Sequence, residues 1–468
     1  MTIDLVHPAP ASGTPNEDSP HSRILLPHKA FGPRLGSTAA ATLAAVVSLA
    51  PSLLPRASLT QGVLTGVLIA VALALMALGR RVVPHRVRAR YGPCEAEAGW
   101  LAAAVAAAMV AVSATWAHHW QNALRAAMDV PPIGFRYWLE VLAGTVVTAT
   151  VLVGGAAGIR ALIRMAGRAR SVATLAAVTI LLGWGATSIA SPSPDTASAS
   201  ASTPVATLAP GMSGSPISLV NWNSLGTQGR RFVSIESSGS PVRVYVGLAA
   251  AADDQSRAAL AVRELERTGG FEREHLVVAI PTGSGWVDAN AVQGFEDRWG
   301  DDVAIAAQQY SDTPSWVTFV FDRDAASRSA RALVSAVRTH IATMPPGQRP
   351  DLHVYGQSLG SIGGSAAFDD IQPGPCDALW AGPPAGSVRT DGATVSANTS
   401  DPVVWWQPSL LWSPPDLSRA VQDAPVPTWL PVVGFLQTTV DLFTSLDSAA
   451  GHGHRYGPEQ AQCEPAVS

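Results

Sequence analysis

The 468-residue chain has few charged residues, 14%, against 47% hydrophobic residues, which argues against a wholly soluble protein and favours membrane segments. Lys and Arg outnumber Asp and Glu 15 to 7 up to residue 190, whereas Asp and Glu outnumber Arg 28 to 16 after it. The two parts therefore favour different compartments, and neither has the basic patch interleaved with aromatic residues that is typical of a nucleic-acid-binding protein.

Five apolar stretches follow a polar segment, residues 1–34, that is rich in Pro, His and Ser and predicts a disordered tail. Each stretch is close to the ~20 residues that cross a hydrocarbon core. Buried helices of a soluble protein would carry charged residues on one face, and these stretches carry almost none. We therefore predict an all-α transmembrane helix bundle with about five spans, at 35–55, 57–79, 98–117, 138–159 and 171–190.

The distribution of basic residues between these spans predicts their orientation. The tail, the second loop with five Arg between 80 and 90, and the fourth loop with four Arg between 160 and 170 are basic, whereas the first and third loops have one and two Arg. By the positive-inside rule, the tail and the basic loops are cytoplasmic, so five spans place everything after residue 190 outside the cytoplasm. Glu140 is expected to be interfacial rather than a functional acid inside the membrane.

A Ser-, Pro- and Ala-rich linker, 191–217, is followed by a segment, 218–468, in which strand and helix patterns alternate. This alternation predicts a mostly parallel sheet with helices on both faces, and a site beyond the carboxyl ends of its strands. The predicted strands are Arg231–Ile235, Val242–Leu248, His275–Ile280, Val303–Ala307, Leu352–Gly356, Ala378–Ala381 and Thr394–Ala397. The predicted helices include Asp253–Thr268 and Ala325–Thr343.

The motif Gly356-Gln-Ser-Leu-Gly360 lies between a predicted strand and a helix pattern of small residues. G-x-S-x-G in this context is typical of a nucleophile elbow, in which a strained turn exposes the serine Oγ. Gly356 and Gly360 suit it because a Cβ at either position would collide with the neighbouring strand or helix. Ser358 is the candidate nucleophile and the N–H of Leu359 a candidate oxyanion donor. The alternative is a glycine-rich turn without catalytic function.

A serine nucleophile needs a base and an acid that orients the base, and after a nucleophile elbow these follow in the order Ser, Asp or Glu, His. His452 and His454 are the only histidines after Ser358. The residues do not decide which is the base, and a solvated turn or a weak metal site is the alternative. Asp401 is the candidate acid, with a turn role as its alternative. Asp441 is a reserve whose helical context favours a structural role.

A second oxyanion donor is expected from a loop after an earlier strand. The loop Pro281–Trp286 follows a predicted strand and contains two glycines that allow close approach of the backbone to the site. Thr282 or Gly283 is the candidate donor. Phosphate binding is the rival interpretation, but the loop lacks the G-K-[ST] ending of a P-loop.

Cys376 and Cys463 both lie in the segment predicted to be exported, where disulfides persist, and a bridge between them would tie the histidine-bearing tail to the sheet. Two unpaired thiols are the alternative. No CxxC and no His/Cys spacing indicates a metal, and we expect no cofactor.

Four tryptophans, Trp405, Trp406, Trp412 and Trp429, follow the candidate acid among many prolines. They could pack in the core, line an acyl pocket or face the membrane. The pattern of residues does not decide between these three roles.

Six ordered motifs carry a resemblance to a known family. They are Pro281–Asp288, Gln309–Ser311 with Pro314–Trp316, Gly356–Gly360, Leu379–Pro384, Ser400–Trp406 and Gly451–Tyr456. The chain resembles, over nearly its whole length, actinobacterial and proteobacterial membrane proteins with a multi-span N-terminal region and a C-terminal α/β-hydrolase domain. The resemblance implies that Ser358 is the nucleophile, Asp401 the acid and His452 or His454 the base.

These observations together predict a membrane-anchored, extracytoplasmic serine hydrolase that cleaves an ester or thioester. We expect a small-molecule or lipid ester as substrate, contact with the membrane, and no nucleic acid. Acyl transfer to envelope lipids or glycans by the same triad is one alternative, and a non-catalytic membrane scaffold is another. Neither the substrate nor the oligomeric state follows from the sequence.

Overall fold

The computed structural model describes residues 35–82, 95–161, 208–237, 239–313, 318, 322, 324–368, 373–374 and 376–463. The predicted tail, the predicted span 171–190 and most of the predicted linker lie outside these residues. The N-terminal part of the described chain contains four apolar helices. They are Leu35–Ser48, Ser58–Val82, Glu95–Ala127 and Phe135–Ala161. Three of them, all but the first, are long and apolar enough to cross a membrane.

The helix over the first predicted span is shorter than the predicted 35–55. It has 14 residues and ends at Ser48, so at ~1.5 Å per residue it covers about 21 Å. Pro51 and Pro55 explain the early end, because proline cannot donate to the helix ladder and disfavours a helical residue before it. Residues 49–57 instead form a loop that enters the C-terminal domain.

The C-terminal part contains one six-stranded, fully parallel sheet in the order β1-β3-β2-β4-β5-β6. The strands are β1 (Val242–Val246), β2 (His275–Ile280), β3 (Val303–Gln308), β4 (Asp351–Gln357), β5 (Ala378–Ala381) and β6 (Thr394–Ser396). The α-helices around it are Gly226–Val233, Asp254–Thr268, Ala289–Trp299, Asp324–Thr343, Leu359–Ala366, Pro402–Trp405 and Val433–Leu442. The predicted fold class, apolar N-terminal helices followed by a parallel sheet with helices, is confirmed.

One predicted strand is wrong. Residues 231–235 were expected to be extended, but the helix Gly226–Val233 covers most of them. This helix buries Gly229, Phe232 and Val233 and exposes Thr227. An apolar run this short fits a strand and a helix equally well, and packing against β1 decides for the helix.

Of the three hydrophobic clusters among the described residues, the two larger ones matter for the site. The larger one surrounds the sheet, whose strands β1 and β3 are buried along their whole length. The smaller one joins the N-terminal helices to the segment after β6. Its buried members are Leu53, Leu54, Leu124, Met128, Trp405, Leu410 and Ala424. We call this second cluster the joint core. Of the four tryptophans singled out in the sequence, Trp405 is buried in the joint core, Trp429 packs against it, and Trp412 is 66% exposed.

Candidate active site

The register of the sheet brings four loops to one edge. Ile280 pairs with Gly356 and Gln357 pairs with Ala381, so β2, β4 and β5 end side by side. Ala381 in turn pairs with Ser396 at the end of β6. The loops that follow these strands therefore start at the same carboxyl edge, which is where a parallel sheet places its site.

Ser358 occupies a strained turn between β4 and the helix Leu359–Ala366. Its φ of 52° and ψ of −122° lie outside the backbone regions that residues other than glycine ordinarily adopt. Its N–H donates to the Ala381 carbonyl oxygen over 2.9 Å. The side chain is half-buried. Leu359 is the first residue of the helix, so its N–H has no acceptor within the helix. This N–H lies at the N-terminal end of the helix, next to Ser358. This is the backbone geometry of a nucleophile elbow.

The two flanking glycines allow this turn because no Cβ fits at either. A Cβ on Gly356 would lie 2.4 Å from the backbone of Gly360, and a Cβ on Gly360 would lie 2.2 Å from the Ile280 carbonyl oxygen. Both contacts are with backbone atoms, which cannot rotate away. The helix can therefore approach β2 and β4 only if both positions are glycine.

We expect Gly360→Ala to destabilise the protein by about 2–3 kcal/mol, because relieving the clash with Ile280 requires a shift of the backbone. Thermal unfolding of the purified chain in detergent measures the effect. Gly347→Ala is the matched control, since nothing lies within 4 Å of a Cβ at that position. Equal midpoints for the two variants would contradict this account of the elbow.

Asp401 and His454 form a buried acid–base pair. Asp401 Oδ2 lies 2.7 Å from His454 Nδ1, and the two side chains are 0% and 7% exposed. The same oxygen accepts the Tyr456 hydroxyl over 2.6 Å, and Asp401 Oδ1 accepts the Val403 N–H over 2.8 Å. Burial, and then the charge of Asp401, raise the pKa of Tyr456 well above its ordinary value, so the hydroxyl remains a donor. With Nδ1 facing the carboxylate, a neutral His454 carries its free lone pair on Nε2.

His454 lies close to residues around Ser358. Gln357 Nε2 donates to the His454 carbonyl oxygen over 3.3 Å. On the adjacent strand β5, the Ala381 carbonyl oxygen accepts the Ser358 N–H. A Cβ on the next residue, Gly382, would lie 2.7 Å from His454 Cε1. The structure thus places the imidazole beside the elbow, packed against a glycine that leaves room for it.

His452 belongs to a different pair, with Asp423. His452 Nδ1 lies 3.1 Å from Asp423 Oδ2. Asp423 also accepts from the Ser400 N–H over 3.0 Å and from the Ser400 and Thr399 hydroxyls. Because Ser400 Oγ accepts the Gly453 N–H over 2.8 Å, this network ties the loop that carries Asp401 to the loop that carries His454. No sequence motif marked Asp423, which lies in a Pro-rich segment that matches no pattern.

The two candidate oxyanion donors in the loop after β2, the N–H groups of Thr282 and Gly283, differ in whether they already have an acceptor. The Thr282 N–H donates to the Trp286 carbonyl oxygen over 2.9 Å, so it already has an acceptor within the loop. Within the part of the chain that the structure describes, the Gly283 N–H has no partner. Of the two candidates, the geometry retains Gly283.

Three side chains to which the sequence assigned no function form hydrogen bonds with the backbone of this loop. The Tyr245 hydroxyl donates to the Gly285 carbonyl oxygen over 2.7 Å, and the Tyr310 hydroxyl donates to that of Pro281 over 3.0 Å. Gln309 Nε2 donates to the Ser311 carbonyl oxygen over 2.9 Å and, more weakly, to that of Ser284. Burial raises the pKa of both tyrosines, so they stay donors. Gln309 and Tyr310 belong to the motif Gln309–Ser311, one of those that carry the resemblance.

Asp441, the reserve acid, is engaged elsewhere. Its carboxylate forms an ion pair with Arg56 at 2.8 Å, and the two side chains are 0% and 1% exposed. It also accepts the Leu53 N–H over 2.8 Å. Asp441 therefore connects the helix Val433–Leu442 to the loop 49–57, which is the structural role that its helical context favoured.

Cys376 and Cys463 form a disulfide, with their Cα atoms 5.3 Å apart. Cys376 lies two residues before β5, and Cys463 lies beyond the histidine loop. The bridge therefore joins positions with a sequence separation of 87, and Asp401 and His454 lie between them. Among the described residues, no group of three or more His, Cys, Asp or Glu side chains could hold a metal ion.

Comparison with known proteins gives two matches at the level of families. The model of an alpha/beta-hydrolase family matches residues 242–397 and 393–468, and the model of an alpha/beta-hydrolase family N-terminus matches residues 49–235. Together they cover most of the chain, including every strand of the sheet. No curated protein and no solved structure matches it.

Proposed function

Because the chain belongs to an alpha/beta-hydrolase family, we propose that it is a membrane-anchored serine hydrolase that cleaves an ester or thioester. Ser358 is the nucleophile, His454 the base and Asp401 the acid that orients the base. The observation that carries this proposal is the buried Asp401–His454 pair beside a serine on a strained elbow. A structural turn needs neither the positive φ nor the pair.

In the acylation step, His454 Nε2 takes the proton of Ser358 while Oγ bonds to the carbonyl carbon. The N–H groups of Leu359 and Gly283 donate to the oxyanion that forms on the carbonyl oxygen. The intermediate then collapses, and the imidazolium gives its proton to the departing alcohol or thiol. Asp401 stabilises the imidazolium, and Tyr456 holds the carboxylate in place.

In the deacylation step, water replaces the departed group. His454 takes a proton from the water as its oxygen attacks the acyl carbon on Ser358, and the same two N–H groups stabilise the second oxyanion. The proton returns to Ser358 Oγ as the carbon–oxygen bond breaks. The products are a carboxylic acid and the free enzyme, so no cofactor is required.

We also propose that the site faces the extracytoplasmic side. The loop 49–57 and the end of the helix Glu95–Ala127 both contribute to the joint core, which supports placing the first and third loops on the same side as the catalytic domain. These are the two loops with few Arg residues. A low count of basic residues is typical of loops outside the cytoplasm.

A fluorophosphonate probe tests the proposed nucleophile. We expect the purified full-length chain to take up one probe molecule, and peptide mass spectrometry to map it to Ser358. Denatured protein is the control, because only an activated serine reacts. Absence of an adduct from the folded chain, or an adduct on the neighbouring Ser361, would contradict the proposal.

A further inference from the structure

Residues 402–447, which we call the cap, lie in sequence between the candidate acid and the histidine loop and carry an exposed apolar rim. The rim consists of Trp412, Leu430, Val432, Phe443 and Leu446. Phe443 is 85% exposed and Trp412 66%. Exposed apolar side chains that form a contiguous patch mark a surface that meets something other than water.

The cap is attached to the ends of the apolar helices. At one end of the helix Val433–Leu442, Asp441 bonds to Arg56 and to the Leu53 N–H. Phe443 follows two residues later. At the other end, Leu430 shares an apolar crevice with Pro51. Both ends of the rim therefore lie beside the loop 49–57, immediately before the candidate span Ser58–Arg80.

Aromatic residues mark the same end of the spans. Trp120 lies in the last turns of the helix Glu95–Ala127, and its Nε1–H donates to the Ser52 carbonyl oxygen over 2.9 Å. Phe135 opens the next candidate span and is 78% exposed, and Trp138 follows one turn later. Tryptophan at the end of a span is typical of the boundary between hydrocarbon and water. The rim is thus continuous with a surface that has the character of a membrane interface.

The backbone of the rim is strained at one of its exposed side chains. Val432 has a φ of 63°, a region that a β-branched residue rarely adopts, and its side chain is 51% exposed. The Val432 N–H donates to the Leu411 carbonyl oxygen over 3.1 Å, which fixes this turn next to Trp412. Strain that holds an apolar side chain outward calls for a functional reason.

We propose that the apolar rim of the cap inserts into the interfacial layer of the bilayer, and that the substrate is a lipid ester that reaches Ser358 from that layer. Access of a lipid to the site rests on the proposed hydrolase function, whereas contact between the rim and the bilayer does not. The cap carries Asp423 and the joint-core residue Trp405, so the same segment that meets the lipid also supports the loops of Asp401 and His454.

Quenching by nitroxide-labelled lipids tests the contact. Phe443→Cys is made in a full-length chain with Cys94→Ser, labelled with an NBD fluorophore and reconstituted into phosphatidylcholine–phosphatidylglycerol vesicles. The nitroxide is placed near the headgroup in one set and deep in the acyl chain in another. Ser335→Cys is the matched control, because Ser335 is exposed on the helix Asp324–Thr343, which packs against the helices Asp254–Thr268 and Leu359–Ala366.

We expect at least a twofold loss of fluorescence at position 443 with the shallow nitroxide, a smaller loss with the deep one, and none at position 335. Equal signals at the two positions would overturn the proposed contact, and would mean that water or another part of the chain covers the rim. This readout needs no catalysis, so it can fail while fluorophosphonate still labels Ser358.

A comparison of rates tests the substrate class. For Phe443→Ser, we expect the rate on a vesicle-borne ester, divided by the rate on a water-soluble short-chain ester, to fall about tenfold relative to the unsubstituted chain. An unchanged ratio, whether both rates stay the same or fall together, would show that Phe443 does not favour esters held in a bilayer, and would overturn the proposed route.

Discussion

Replacing His454 with alanine is expected to lower kcat for ester hydrolysis by about 10⁴-fold or more, because it removes the group proposed to take the serine proton. Replacing His452 is expected to cost at most about tenfold, a change of ~1.4 kcal/mol in the barrier. His454 shares a buried hydrogen bond with Asp401 beside the elbow, whereas His452 pairs with Asp423. Steady-state kinetics of the purified full-length variants with a soluble ester measure both effects.

The two histidines control for each other because they lie in one loop, two residues apart. His452→Ala removes one bond to Asp423 but leaves those from Ser400 and Thr399, so the link between the two loops persists. Thermal unfolding of both variants separates a loss of chemistry from a loss of fold. If His452→Ala is inactive and His454→Ala retains its rate, with both folded, then the base is His452.

The parallel sheet and the elbow could be predicted because their determinants are local. Most strands contain a short run of apolar residues, and the elbow needs only Gly, Ser and Gly at fixed spacing after a strand. The site edge then follows from topology alone, since the ends of parallel strands meet. Even the short strand β5 had this local signal.

The choice between the histidines could not be predicted from sequence. Both follow a glycine, and the pattern Gly-His-Gly-His is symmetric with respect to any local rule. What separates them is direction. His454 points to Asp401 and Tyr456 in the interior, while His452 points to Asp423, an acid that no motif marks. That difference exists only once the loops after β6 are folded together.

The contact between the two parts of the chain was also beyond sequence reasoning. Arg56 was counted as a loop charge that reports orientation, and Asp441 as a reserve acid, yet they pair across 385 residues of sequence. Periodicity and composition carry no information about partners at that distance. The pair means that the apolar N-terminal region contributes part of the support of the C-terminal domain, in addition to its proposed role as an anchor.

We expect Arg56→Ala to destabilise the protein by about 3–5 kcal/mol, the cost of leaving one member of a buried ion pair without its partner. Arg56 donates to Asp441 through Nε and Nη2 and to the Gln437 carbonyl oxygen, so the substitution removes three bonds at once. Thermal and denaturant unfolding in detergent measure the loss. The double variant Arg56→Met with Asp441→Leu is the control, because replacing both charges with apolar side chains of similar size removes the unpaired charge.

The effect of Arg56→Ala should depend on pH. Burial already raises the pKa of Asp441, and Arg56 is the largest influence that lowers it. Without Arg56, the pKa of Asp441 in the folded chain rises further above its value in the unfolded chain. At pH values between these two pKa values, the folded chain binds more protons than the unfolded chain. The stability of the folded chain therefore falls as the pH rises through this range. The loss of stability in Arg56→Ala should therefore be larger at pH 8 than at pH 5. The double variant lacks Asp441, so it should not show this pH dependence. A loss that is the same at both pH values, or equal in the double variant, would show that packing and not the buried charge holds the loop 49–57 to the cap.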